Sequence, residues 1–154
     1  SKEYEQIMER VMDGNSIIVF ITVGVMAPII EEIIFRGLVL NELKKALPIY
    51  PAITLQALIF GIYHLNLIQG LYAALLGIVL GIVTEKTRSI WAPILIHISF
   101  NSLSTLINKV PINIPEGHLL SNQYFLFLSS IVFAALSFVL ILQLSKRRSN
   151  IISE

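Results

Sequence analysis

The sequence contains no cysteine, which excludes a disulfide framework and any thiolate-ligated metal site. It is also poor in charge: 14% of its 154 residues are charged, against roughly 25% in a soluble domain. The net charge is only +1, so the basic face that nucleic-acid binding needs is missing and no nucleic-acid partner is expected. Disorder is excluded as well, because it requires low hydrophobicity and high net charge. Hydrophobic residues make up 55% of the chain, with a mean hydropathy of +0.78. No HExxH pair, GxSxG turn, internal repeat or low-complexity tract is present. What fills the chain instead is a series of long apolar runs, which point to an integral membrane protein in a lipid bilayer.

Five such runs occur, at about 17–40, 50–65, 70–84, 90–107 and 124–144. Residues 1–13 precede them, with Tyr4, Ile7, Met8, Val11 and Met12 recurring at helical spacing among six charges. The expected fold is therefore all-α, a polytopic membrane helix bundle of about five transmembrane segments after an amphipathic surface helix. The expected division is an interfacial helix over 1–15, a membrane domain over 16–148 and a tail over 149–154. Asn15 or Ser16 can cap the first membrane helix. The chain opens on Ser1 rather than Met, which reads as a processed or excised part of something longer. If all five segments cross, Lys44, Lys45, Lys86, Arg88, Lys146, Arg147 and Arg148 share one side, and only Lys2, Arg10 and Lys109 face the other. That bias puts the C-terminus in the cytoplasm.

Three charges violate the pattern. Glu31, Glu32 and Arg36 sit inside the first apolar segment. Each charge at mid-membrane costs about 2.5–3.5 kcal/mol, so three unpaired ones would rival the roughly 5–15 kcal/mol stability of a whole domain. Glu32 and Arg36 are four residues apart, share a helix face and can pair. Glu31 is rotated about 100° from Glu32 and needs a different neighbour. His64 ends the second segment. His97 and Asn101 share a face of the fourth, with Ser104 near it. Pro28 and Pro93 each precede a key group by about one turn. Pro28 removes a backbone donor and frees the carbonyl four residues earlier, whereas Pro93 lies near a helix start, where proline is tolerated.

One Glu, two His and one Asn suit hydrolysis. A carboxylate and an imidazole can deprotonate water, and an imidazole and an amide can donate to an oxyanion. The same Glu and His residues could ligate zinc with an open position, and spacing does not separate the two.

These residues resemble the CPBP family of CAAX proteases and bacteriocin-processing (Abi) intramembrane peptidases. GluGluIleIlePheArg (31–36) is similar to its EExxxR motif, PheGlyIleTyrHis (60–64) to FxxxH, and HisIleSerPheAsn (97–101) to HxxxN. The three follow the family's order. The resemblance implies an intramembrane endopeptidase whose partner is a peptide or membrane-protein substrate, acting in peptide processing, bacteriocin self-immunity or CAAX-type cleavage. It implies that Glu31 and His64 activate water, that His97 and Asn101 stabilise the oxyanion, and that Glu32 and Arg36 support the site. A metal-free glutamate mechanism without cofactor is the favoured form. The metalloendopeptidase form, with zinc on Glu31, His64 and His97, is its alternative. A non-catalytic membrane scaffold or immunity protein is the competing class.

Full crossings leave His64 about 10–15 Å from the level of Glu31. Short second and third helices, with the 65–69 connection sunk into the protein, would remove that gap. Gly77 and Gly81 form a GxxxG pair able to bring helices close, within or between chains.

Overall fold

The computed structural model describes residues 15–108. The amphipathic segment at 1–13, the 108–123 loop beyond its first residue, the fifth apolar run and the tail lie outside the described residues, so about five spans stays an expectation. Four helices and no strand occur among the described residues: α1 (Ser16–Ala46), α2 (Ile49–Tyr63), α3 (Leu67–Thr87) and α4 (Trp91–Asn108). By length and composition, α1 and α3 can each cross a membrane. The polarity is inverted relative to a soluble domain. Glu32, Arg36, Gln56 and His97 are buried, while Ile62, Leu65 and Leu67 are exposed, as expected when the surroundings are lipid.

Asn15 caps α1 by accepting a hydrogen bond from the Ile17 amide at 3.0 Å. The helix then runs for 31 residues, but not with uniform winding. Stretches of π-helix at Phe20–Met26 and Ile33–Val39 flank an α-helical piece at Ala27–Glu32. Pro28 lies in the first turn of that piece. Lacking an N–H, it leaves a carbonyl of the preceding turn without its helical donor. The two candidate carbonyls, four and five residues back, are both taken by α4: Ser102 Oγ donates to Gly24 O at 3.2 Å and Asn101 Nδ2 to Val23 O at 3.3 Å. A proline in α1 thus creates the docking points for α4.

Helices α2 and α3 form a hairpin joined by a tight turn. Leu65 adopts a left-handed φ of 55°, and Asn66 caps α3 through the Gln69 amide at 3.0 Å. The hairpin closes on glycines. A Cβ at Gly61 would lie 2.6 Å from Gly70 O, and one at Gly77 3.1 Å from Ala57 Cα. Gly77 and Gly81 therefore pack against α2 of the same chain. Around this axis lie small apolar clusters, among them Phe35, Phe60 and Ala73, and Leu40, Ala52 and Ile53. Lys44 pairs with Glu85, tying together the C-terminal ends of α1 and α3.

Two expectations need correction. Helix α3 is not short, because its 21 residues extend the apolar run by three at each end. Nor is the 65–69 connection sunk in protein, since Leu65 is 74% and Leu67 81% exposed. The shortness of α2 alone closes the gap. Its 15 residues rise about 22 Å from the end of α1, and the same number counted back along α1 from Ala46 ends at Glu32. His64 therefore comes level with the acidic pair.

Gly61→Ala should push α2 off α3, because the backbone it meets cannot move aside. The expected result is a drop in detergent melting temperature equivalent to about 1–3 kcal/mol of overpacking, larger than that of Ala→Gly at exposed positions in the same helices.

Candidate active site

The site is assembled around one carboxylate. Glu32 is fully buried, and its Oε1 accepts from Arg36 Nη1 at 2.8 Å and from His97 Nδ1 at 2.7 Å. The first contact is the four-residue pairing on α1. The second joins positions 65 apart, and spacing along one helix does not contain it. With Nδ1–H donated to Glu32, the imidazole is fixed in orientation and presents Nε2 to Glu31, whose Oε2 lies 3.6 Å away. Arg36 Nη2 donates to Gly77 O at 3.3 Å. That contact reaches α3 where the lack of a side chain opens its backbone.

Glu31 differs from Glu32. Its side chain is 16% exposed, and its Oε2 is buried without a hydrogen-bond donor among the described residues. His97, His64 and Arg36 all lie within electrostatic reach of its carboxylate. Glu32 Oε2 also lacks a donor among the described residues, so what divides the consecutive glutamates is that Glu32 Oε1 holds two donors while Glu31 holds none and is partly exposed.

Phe60 organises the second histidine. Its ring is fully buried and packs edge-on to His64 at 4.9 Å and His97 at 5.9 Å between centroids. The Arg36 guanidinium sits over it at 4.8 Å. His64 Nδ1 lies 2.9 Å from Phe60 O, a contact in which the ring nitrogen donates to the carbonyl and Nε2 has no hydrogen-bond partner among the described residues. One aromatic ring therefore separates the two imidazoles. Asn101 spends one amide N–H on the Val23 tether, and its second N–H and Oδ1 make no side-chain hydrogen bond among the described residues.

The structure brings Glu31, Glu32, Arg36, His97 and Phe60 together, with His64 across the Phe60 ring and Asn101 one turn from His97 on α4. The histidine that meets Glu31 most directly is His97. Among the described residues no group of three or more His, Asp or Glu side chains stands together as a metal-ligand set. His97 Nδ1 is held by Glu32 and His64 Nδ1 by the Phe60 carbonyl, an arrangement that orients each Nε2 and suits it equally to a water or to a metal ion. Two participants carried no signal of their own in the sequence. Ser102 is an ordinary helical serine there, and Phe60 shows only as the first letter of a motif ending in His64.

A family model described as "Type II CAAX prenyl endopeptidase Rce1-like" matches residues 13–103. A curated relative, "Putative membrane peptidase YdiL" of Bacillus subtilis (strain 168), is 28% identical over 95 residues, which is 62% of this chain and 39% of that protein. The chain thus spans about two fifths of that relative's length. No solved structure matches.

The division between the two glutamates is measurable as stability. Glu32→Ala leaves Arg36 buried without its partner and should cost about 3–5 kcal/mol in detergent unfolding. Glu31→Gln removes no hydrogen bond and should stay within about 1 kcal/mol of wild type. Equal losses would contradict the assignment.

Proposed function

The chain belongs to the type II CAAX prenyl endopeptidase Rce1-like family, and from that membership we propose that it is an intramembrane endopeptidase in which Glu31 activates the water. The observation that carries the reading is the uncommitted Glu31 carboxylate oxygen, buried beside an imidazole that Glu32 already holds in place. A helix bundle gains nothing in stability from such a carboxylate, because its burial is not repaid by hydrogen bonds.

In this reading Glu31 takes a proton from water as the oxygen attacks the peptide carbonyl, then returns it to the leaving amine. His64 holds the water through its Nε2. His97 and Asn101 donate to the developing oxyanion. In the imidazolium form both His97 ring nitrogens donate, and the charges of Glu31, Glu32, Arg36 and His97 sum to zero. Glu32 and Arg36 act by orienting His97. The substrate is a peptide or membrane-protein segment reaching the site from the bilayer. The prenylated C-terminus named in the family description, a leader peptide and a bacteriocin-like peptide share that chemistry. The positive-inside bias supports a cytoplasmic C-terminus.

The test is cleavage by purified protein in liposomes, offered a prenylated C-terminal peptide and its unprenylated counterpart. Glu31→Gln should abolish cleavage, and His97→Ala or Asn101→Ala should lower kcat by about 10²–10³, with a chelator leaving the wild-type rate unchanged. Wild-type protein that binds but never cleaves either peptide would point to a scaffold instead.

A further inference from the structure

Gln56 is the one buried polar residue of α2 for which the proposed chemistry has no use. It is fully buried in the middle of an apolar helix, and neither its Oε1 nor its Nε2 has a hydrogen-bond partner among the described residues. A buried amide left unsatisfied costs about 1–3 kcal/mol, and an apolar residue of the same size would avoid that cost. Among the described residues the other buried side-chain atoms without a partner are Oε2 of Glu31 and Glu32 and Nε of Arg36, a residue only 1% exposed; of these only Arg36 Nε is a donor.

The two groups converge on the same turn of α3. Arg36 Nη2 reaches Gly77 O, the carbonyl to which the Gly81 N–H points in an α-helix. Gln56 Oε1 lies 3.6 Å from where a Gly81 Cβ would stand. Phe60, one turn beyond Gln56 on α2, carries the guanidinium on its ring face. Two glycines on one turn thus let a cation from α1 and an amide from α2 approach α3 from neighbouring directions. The orphans complement each other, since Arg36 Nε–H is a donor and Gln56 Oε1 an acceptor. A polar contact too long for a direct bond is met by water where enough polar groups converge.

We propose that Gln56 is a positioning residue of the active site, coupled to Arg36 through one buried water that accepts from Arg36 Nε–H and donates to Gln56 Oε1. Gln56 touches neither substrate nor the reacting atoms. It holds the guanidinium, which holds Glu32, which holds His97. The catalytic part rests on the endopeptidase reading, whereas the coupling to Arg36 does not.

Two measurements on full-length protein in micelles or liposomes separate these. The first is NMR of ¹⁵N-arginine-labelled protein, with the Arg36 Nε–H resonance identified by its loss in Arg36→Lys. Gln56→Leu should move this resonance and speed its exchange with solvent, and Gln56→Glu, which keeps an acceptor oxygen, should restore the protection. The second is kinetic. Gln56→Leu should lower kcat about tenfold with KM unchanged, and Gln56→Glu should recover most of the rate. An unmoved Arg36 resonance in Gln56→Leu, with unchanged kcat and a raised melting temperature, would overturn the proposal. If Gln56→Leu does not fold, Gln56→Glu decides, since a resonance matching wild type supports the water bridge and one lost to exchange refutes it. Absence of cleavage by wild type would count against the endopeptidase reading alone, because the resonance still reports on Gln56.

Discussion

The structure depends on the Glu32 carboxylate. One oxygen satisfies a guanidinium on its own helix and an imidazole on another. Without Arg36 the carboxylate would keep only the His97 imidazole, and without the carboxylate Arg36 would keep only the Gly77 carbonyl. Each partner's burial is tolerable only because of the other. The cost of keeping them is offset by what they specify, since the pair sets the depth of His97 and the rotation of α4 about α1. The same guanidinium then reaches α3 through Gly77 O. A single ionic centre thereby fixes the relative positions of three helices.

The backbone of α1 contributes a second constraint. Pro28 leaves a turn short of a donor, and α4 reaches the carbonyls five and four residues back through Asn101 and Ser102. Gly24 makes the approach possible, since a Cβ there would lie 3.2 Å from Ser102 Oγ. Membrane interiors tolerate irregular backbone only where protein or water satisfies it. Here the repair is made by the helix that carries His97. Asn101 is accordingly bound into the architecture through one N–H of its side-chain amide.

Much of this was readable in the sequence, for definite reasons. Glu32 and Arg36 announce their pairing because four residues bring a helix round to the same face, and Glu31 is set apart by its rotation. Pro28 signals an orphaned carbonyl. The contact between Glu32 and His97 was not readable, since it depends on how α4 docks. The true extent of α3 was hidden because Leu67, Ile68 and Gln69 look like part of a connection, whereas Asn66 caps them into helix. Gln56 went unread because one amide in an apolar run gives no periodicity, and only its burial without partners makes it conspicuous. Reading the third segment as short was wrong, since its helix has 21 residues, whereas the shortness of the second, which brings His64 level with Glu31, was legible from its length.

That last point has a physical consequence for the surroundings of the protein. A helix of 15 residues covers about 22 Å, against a hydrocarbon core of about 30 Å. Its end, with the exposed side chains of Ile62, Tyr63, Leu65 and Leu67, therefore stops inside the acyl-chain region unless the lipid adjusts. Bilayers answer such hydrophobic mismatch by thinning locally, at a fraction of a kcal/mol per ångström. The membrane beside α2 is then a dimple whose floor lies near His64. Lipid thickness becomes a coordinate of the site, set by the number of residues between Pro48 and His64.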